Sequence, residues 1–217
     1  MSKKNISQEK IIQAFLSSAF DKSAGATSLA DVADALEIKK ASLYNHFESR
    51  DAMYDASIDY CAQQIMNVEF ATEKICESIN SGKTTVPAAL KKLISRYFSL
   101  FDSEPLFKMY VFVHTEQYFN PKALKIVQIQ IEKITEDIKA LITSYFKTKS
   151  EKEIKDLASV CTSLILQQLD AYIAIRKETI RQNPETGAGS LFELPSDNNV
   201  INKASRLVES FLTVITV

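Results

Sequence analysis

The stretch that decides the fold is ATSLADVADALEIKKASLYNHFESRD, residues 26–51, which predicts two short helices across a tight turn. Ser28 followed by Asp31 is typical of a helix N-terminus, because the hydroxyl and the carboxylate can bind backbone N–H groups that lack partners within the helix. An apolar stripe then repeats at three- and four-residue steps, formed by Leu29, Val32, Ala33 and Leu36. Ile38 breaks this phase inside a three-residue turn, after which a second helix is expected.

The second helix, predicted from Lys40 to His46, has one apolar and one polar side. Leu43 and Phe47 are expected to anchor it to the core. The opposite side carries ammonium, hydroxyl, amide and imidazole groups, on Lys40, Ser42, Tyr44, Asn45 and His46. Such groups can bind DNA phosphates and base edges. Asn45 is the candidate for reading a base, either directly or through water.

Composition favours an all-α protein. The 217 residues include only four glycines and five prolines, too few for the tight turns of an all-β fold. The formal net charge of −1 excludes a generic polyanion binder, so any DNA affinity must come from the local placement of cations.

The remaining helices suggest two domains without a linker. Ser7 can cap a first helix and Ser49 a fourth, which is predicted to continue to Ile79 because no strong helix breaker comes earlier. Further helices are expected to open at Pro87, Pro105 and Pro121, since proline suits the first helical turn. Two amphipathic helices, about 151–181 and after a loop at 182–197, complete the chain. The predicted domains are a three-helix helix-turn-helix domain at residues 1–50 and a larger helical domain at residues 51–217.

Residues 7 to about 60 resemble the DNA-binding domain of TetR-type (tetracycline-repressor-like) bacterial transcriptional regulators. The resemblance is carried by Phe15 and Phe20 in the first helix, by 27–33 and 42–47, and by Arg50. It implies a homodimer whose two helix-turn-helix units bind a palindromic double-stranded DNA operator. It also implies that the C-terminal domain, residues 51–217, binds a small-molecule effector and forms the dimer.

The resulting set of predicted DNA contacts is Ser28, Lys39, Lys40, Ser42, Tyr44, Asn45, His46 and Arg50. Some of them have an ordinary structural alternative: the two lysines could be solvated, Tyr44 could be a packed ring, and His46 could cap its helix. Cations at a helix N-terminus oppose the helix dipole, which favours phosphate contacts for the lysines and for Arg50.

Three residues depart from the family pattern at the turn. Glu37 and Ala41 stand where glycine is frequent, and Lys39 stands where Ser or Thr commonly caps the recognition helix. Glu37 is therefore expected to take a left-handed backbone conformation, at a cost of about 1 kcal/mol.

The predicted effector contacts are aromatic and polar side chains of the larger domain, namely Phe98, Tyr110, His114, Gln117, Gln168 and Tyr172. The alternative is that these aromatics are plain core. No charged cluster indicates a strongly ionic effector. For dimerisation, the last two helices are expected to form a four-helix interface across a two-fold axis through Leu164, Leu207 and Phe211.

Enzyme function is not supported, because the two histidines lie in different predicted domains and no phosphate loop, HExxH or CxxC motif occurs. No metal or cofactor is expected. The three cysteines have no metal-ligand spacing and are predicted to be free thiols. No signal peptide and no window approaching a membrane span was found, so a cytoplasmic protein without membrane contact is expected.

The sequence therefore predicts a ligand-responsive transcriptional regulator, a repressor released from its operator by a small molecule. The alternative is a helical adaptor protein that kept this fold but lost DNA binding, motivated by the departures at Glu37 and Lys39.

Overall fold

The computed structural model describes residues 6–187 and 190–215, and within them the chain is helical without strands, which confirms the all-α prediction. The helices are α1 Gln8–Lys22, α2 Leu29–Ala35, α3 Lys40–Leu43, α4 Arg50–Met66, α5 Glu73–Asn80, α6 Val86–Phe101, α7 Leu106–Glu116, α8 Pro121–Thr143, α9 Glu151–Gln182 and α10 Asn198–Val214. A 3₁₀ turn, Pro184–Thr186, lies in the predicted 182–197 loop, of which residues 188 and 189 fall outside the described part.

The chain forms two compact units. The first comprises the chain up to Asn67 together with Lys108–Val127. Within it, α1 packs on α2 and α4, and α2 packs on α3. Three rings form the centre of its core: Phe15 lies 6.0 Å from Phe112 and 6.3 Å from Tyr54, in edge-to-face geometry. These contacts tie α1, α4 and α7 together.

The second unit comprises Val68–Phe107 and the chain from Gln128 onward. Its α10 packs against both α6 and α9. The buried side chains include Leu93, Ile94 and Phe98 on α6 and Ile165 and Leu169 on α9. The final helix thus closes a helical core around α6.

The two units do not follow the predicted functional boundary at residue 50. The whole of α4 belongs to the first unit, where it packs on α1, while α7 and α8 each contain residues of both units. The division into 1–50 and 51–217 stays a prediction about function, because packing groups the chain differently.

The predicted extension of α4 to Ile79 is wrong, since α4 ends at Met66 and a new helix begins at Glu73. The break is stabilised by tertiary contacts within the second unit. Phe70 is buried against the ring of Tyr97, at 5.4 Å, and Arg96 donates a 2.6 Å hydrogen bond to the carbonyl of Glu69. The carboxylate of Asp137 accepts from the Ala71 amide at 3.1 Å. Together these contacts hold the chain out of the helical conformation.

Helix α9 is long and apolar enough to cross a membrane by length and composition, with a mean hydropathy of 1.3 over its best window. This differs from the expectation that no window approaches a membrane span. The core helix of a soluble protein has the same length and composition. One face of α9 is buried in the second unit, from Ile154 to Arg176, while 44% of the apolar window is buried in total.

Candidate nucleic-acid interface

The start of α2 is fixed by the predicted cap. The Ser28 hydroxyl accepts from the Asp31 amide at 3.2 Å, and the Asp31 carboxylate accepts from the Ser28 amide at 2.8 Å, which makes a capping box. Lys22 lies 2.5 Å from the same carboxylate. The hydrogen bond from Lys22, followed by those from Ser28, lowers the pKa of Asp31 to about 2. The cap prediction for Ser28 is confirmed, and its side chain remains exposed.

The turn after α2 adopts the left-handed conformation expected at Glu37, with φ of 55°. The Ile38 amide donates to the carbonyl of Ala33 at 2.9 Å, and the Glu37 amide donates to Asp34 at 3.0 Å. This pair of hydrogen bonds is a Schellman motif, a helix ending in which glycine is the usual left-handed residue. The turn geometry is therefore retained although a glutamate occupies the strained position.

Helix α3 is shorter than predicted, because its regular part ends at Leu43 and the chain continues as turns to His46. The amides of His46 and Phe47 donate to the Leu43 carbonyl at 2.9 and 3.0 Å, which keeps these turns compact. The side chains of Leu43 and Phe47 are buried, as predicted. They anchor a short helix whose own hydrogen bonds would not hold it.

The predicted DNA-contacting side chains surround this anchor. Lys39, Lys40 and Asn45 are exposed, and the Tyr44 ring is 52% exposed although it is large and aromatic. Ser42 and His46 are half-buried, and Gln8 of α1 donates a 3.0 Å hydrogen bond to the His46 carbonyl. Lys39 precedes α3 without a side-chain cap, as its residue type requires. The structure thus presents a compact polar surface on a buried apolar base.

Arg50 has a structural role that sequence reasoning missed. Its Nε donates to the Thr27 carbonyl at 3.0 Å, and its Nη2 donates to the Ala24 carbonyl. The guanidinium also lies 5.9 Å from the ring centres of Phe15 and Tyr54. Arg50 therefore fixes the α1–α2 connector to the start of α4. A phosphate contact by Arg50 stays a prediction, and it would compete with these bonds.

The predicted effector contacts fall into two groups, one in each unit. In the first unit, His114 stacks on Tyr110 with ring centres 3.7 Å apart, and Gln117 donates to the His114 carbonyl at 2.7 Å. Tyr110 and His114 lie one turn apart on α7, and Gln117 directly follows this helix. The prediction that they bind an effector is untested.

In the second unit, Phe98 stacks on Tyr172 with ring centres 6.1 Å apart. The Tyr172 hydroxyl accepts from the Asp197 amide at 3.1 Å, and burial raises the pKa of this phenol. Gln168 donates to Gln167 at 2.6 Å near the surface. Phe98 and Tyr172 are therefore core residues, and the Tyr172 hydroxyl already has a hydrogen-bond partner.

A buried ion pair beside them was also missed. Arg176 Nε faces Asp102 Oδ1 at 2.5 Å as an ion pair, without the alignment of a hydrogen bond. Arg176 also donates to the carbonyls of Leu194 and Pro195, at 2.6 and 3.1 Å, and the Ser196 hydroxyl donates to Asp102. The pair fixes the α9–α10 loop to the end of α6. Nothing in the sequence connects residues so far apart.

The predicted dimer residues are only partly covered within the chain. Leu164, Leu207 and Phe211 are half-buried. Leu164 lines an open groove of about 420 Å³ on α9 together with Ser159, Val160, Ser163 and Gln167. Among the described residues no group of His, Cys, Asp and Glu could hold a metal ion. The three cysteines are free, and burial raises the pKa of Cys61 and Cys161 to about 12.

Two short helices joined by a tight turn, with the second held on an apolar base and polar outside, define a helix-turn-helix DNA-binding protein. Residues 11–57 match the family described as bacterial regulatory proteins, tetR family. The match covers the helix-turn-helix, as the sequence predicted, and it supports a transcriptional regulator of the TetR type rather than an enzyme.

Known proteins are similar to this chain in sequence and in fold. The chain is 26% identical over 166 residues to IcaR of Staphylococcus aureus, the HTH-type negative transcriptional regulator of the biofilm operon icaADBC, covering 76% of this chain and 81% of IcaR. Its fold is similar to a TetR transcriptional regulator from Legionella pneumophila, with a TM-score of 0.54, 19% identity and coverage of 95% and 98%. A TetR-family regulator from Streptomyces coelicolor gives 0.59, 15% identity and coverage of 96% and 80%.

Proposed function

We propose that this regulator is a dimeric cytoplasmic repressor that binds a palindromic operator and is released from it by a small molecule. The observation that carries the proposal is the exposed Tyr44 ring among exposed cations and amides, directly above the buried Leu43 and Phe47. An aromatic ring left in water on a rigid base is suited to contact a ligand, and here the surrounding groups suit DNA.

The proposed DNA contacts divide by chemistry. Lys39 and Lys40, at the start of α3, bind phosphates, helped by the hydroxyls of Ser28 and Ser42. Tyr44 packs against the sugar–phosphate backbone of the DNA, and His46 binds a further phosphate. Asn45 reads a base edge. Arg50 acts mainly as a positioning residue, because its donors hold Ala24 and Thr27 in place.

Two-fold symmetry doubles this surface. A homodimer through α9 and α10, with Leu164, Leu207 and Phe211 at the interface, would present two α3 helices to successive major grooves. Half-sites about 34 to 36 Å apart, or a multiple, are then expected. Because the formal net charge of the whole chain is −1, the affinity depends on these local contacts being made twice.

Repression is proposed from similarity to IcaR, whose name describes a negative regulator. The effector is proposed to contact one of the two groups of predicted residues, either Tyr110, His114 and Gln117 or Phe98, Gln168 and Tyr172. It can shift the DNA-binding equilibrium only by as much as its affinities for the bound and free states differ. No second candidate function is favoured, because the intact turn at Glu37 removes the main reason to suppose that DNA binding was lost.

The test is fluorescence anisotropy with labelled DNA from the promoter upstream of the protein's own gene. Lys40→Ala and Tyr44→Ala should each weaken binding at least about tenfold, and Lys40→Ala should also reduce the salt dependence of the affinity, because one phosphate contact is lost from each protomer. Lys91→Ala, which removes an exposed cation from α6, is the matched control and should bind like the wild type. Unchanged affinity in both α3 variants would refute the proposed interface.

The effector proposal needs a separate measurement. Small molecules that raise the melting temperature of the protein are titrated into the preformed operator complex. A true effector lowers operator affinity at saturation. If every stabilising compound leaves the operator affinity unchanged, the ligand-responsive part of the proposal fails while DNA binding stands.

A further inference from the structure

The end of α3 depends on contacts from outside the helix. Its regular part, Lys40–Leu43, spans one turn, and the chain continues as turns to His46. A helix this short is not stable by itself in water, because too few hydrogen bonds offset the cost of nucleation. Carbonyls at a helix end also lack donors within the helix. Neighbouring elements must therefore set the direction of the residues that follow Leu43.

Gln8, in the first turn of α1, supplies such a contact. Its Nε2 donates a 3.0 Å hydrogen bond to the carbonyl oxygen of His46, across 38 positions of sequence. The acceptor is a backbone carbonyl at the C-terminal end of the α3 segment. Gln8 comes before residues 11–57, which match the tetR family, so the donor lies outside the stretch that the family match covers.

The first turn of α1, which carries this donor, is itself anchored. The Ser7 hydroxyl accepts from the Lys10 amide at 3.2 Å and caps the helix. Tyr60 of α4 donates a 2.9 Å hydrogen bond to Glu9 Oε1, next to Gln8 in sequence. The start of α1 is therefore joined to α4, and the Gln8 side chain extends from a fixed turn.

The acceptor lies beside the proposed DNA contacts Tyr44 and Asn45. These residues, together with His46, stand between Leu43 and Phe47, which are 1% and 9% exposed. The His46 carbonyl and the Phe47 amide belong to one planar peptide group. The amide donates to the Leu43 carbonyl at 3.0 Å, and the carbonyl accepts from Gln8. Two hydrogen bonds, one at each end, thus fix the orientation of this peptide group.

We propose that Gln8 is a positioning residue for DNA recognition. By holding the His46 carbonyl, its amide fixes the peptide group that follows Tyr44 and Asn45, and so orients both side chains before the operator is bound. A segment that is ordered in advance loses less conformational entropy on binding. The inference rests on the DNA binding of the proposed function, and it adds a residue of α1 that acts without touching DNA.

Operator affinity gives the first test. Gln8→Met keeps the length of the side chain but removes the donor, and it should weaken binding at least about fivefold, because one hydrogen bond is lost from each protomer. Gln63→Met, at an exposed position of α4, is the matched control and should bind like the wild type. An affinity of Gln8→Met equal to that of the wild type would overturn the inference.

A double-mutant cycle separates positioning from direct contact with DNA. If Gln8 acts through Tyr44 and Asn45, the effect of Gln8→Met should fall below about twofold in a Tyr44→Ala/Asn45→Ala background. It should keep its full size in a Lys40→Ala background, because the lost phosphate contact is independent of the His46 carbonyl. Low-salt buffer keeps the weaker complexes measurable. An equal effect in both backgrounds would show that Gln8 contacts DNA itself and would overturn the inference.

NMR spectra of the free protein test the hydrogen bond without DNA. The Phe47 amide resonance should shift in Gln8→Met, because the carbonyl of the same peptide group loses its donor. The Val32 amide of α2 should keep its resonance. Urea should unfold Gln8→Met and Gln63→Met at nearly the same concentration, since the lost bond is exposed. An unmoved Phe47 resonance, with affinity lost only in proportion to stability, would identify a purely structural role and overturn the inference.

The outcomes separate this inference from the proposed function. Weaker binding by Lys40→Ala and Tyr44→Ala, with unchanged binding by Gln8→Met, refutes the role of Gln8 and leaves the proposed DNA-binding surface intact. Unchanged binding by all three variants refutes the proposed interface itself, and the role of Gln8 falls with it.

Discussion

The Tyr54 hydroxyl donates a 2.7 Å hydrogen bond to Glu116 Oε2, and this bond joins α4 to α7 within the first unit. Glu116 is buried, so its carboxylate depends on this donor. Burial, together with the neighbouring carboxylate, raises the pKa of Tyr54 and keeps the phenol protonated. Since the Tyr54 ring also packs on Phe15 of α1, the same side chain connects α7, α4 and α1.

Tyr54→Phe is expected to reduce the free energy of unfolding by about 1–3 kcal/mol, because the ring contacts are retained while a buried carboxylate loses its donor. Urea unfolding measures the change. Tyr60→Phe is the matched control, since Tyr60 donates a 2.9 Å bond to the exposed Glu9. If both variants lose the same free energy of unfolding, the buried Tyr54–Glu116 bond contributes no more to stability than the exposed Tyr60–Glu9 bond.

Asp102→Asn should be among the most destabilising single substitutions in the second unit. It leaves the Arg176 guanidinium buried without its counter-charge, and removing one partner of a buried pair costs about 3–5 kcal/mol. Asp59→Asn breaks the exposed 3.2 Å pair with Lys122 and should cost less than about 1 kcal/mol. Urea unfolding of both variants gives the comparison, and a small loss in Asp102→Asn would contradict the buried-pair interpretation.

Glu37→Gly should stabilise the protein by about 0.5–1 kcal/mol, because glycine adopts the left-handed conformation without a Cβ clash. Glu37→Ala removes the same carboxylate but keeps the clash, so it should not stabilise. Thermal unfolding of the two variants separates backbone strain from any contact of the side chain. Equal melting temperatures would show that the strain is negligible.

The contribution of Asp31 should depend on pH. Its pKa is lowered from 3.8 to about 2 in the folded chain, so the stabilisation is complete above about pH 5 and is lost as the pH falls through 3.8 toward 2. The stability difference between wild type and Asp31→Asn should therefore narrow between pH 6 and pH 3 in urea titrations. Lys22→Gln should have little further effect in the Asp31→Asn background, because the ion pair is already gone. A difference that stays constant with pH would contradict the assignment.

Local features were predictable from the sequence because their causes lie within a few residues. Ser28 with Asp31 specifies a helix start, Leu43 and Phe47 mark the apolar side of α3, and Glu37 was expected to be left-handed because the family it resembles often has glycine there. The first two depend on local spacing and the third on the resemblance, and the structure shows all three.

Features that depend on distant residues were not predictable. The end of α4 at Met66 is set by Phe70, Arg96 and Asp137, which come together only in the folded chain. Arg50 was predicted to bind a phosphate. Its actual acceptors are the backbone carbonyls of Ala24 and Thr27, and backbone acceptors cannot be recognised in a sequence. The Asp102–Arg176 ion pair was not predicted either, because its two residues come together only in the folded chain.

The first unit is discontinuous in sequence, because Phe112 and Glu116 complete a core begun by Phe15 and Tyr54. During synthesis, the contacts of Phe112 and Glu116 with this core can form only after the ribosome has translated α7. A nascent or prematurely truncated chain ending near Asn67 would lack these contacts. The fold of the helix-turn-helix is thus tied to a helix that comes about forty residues later in the chain.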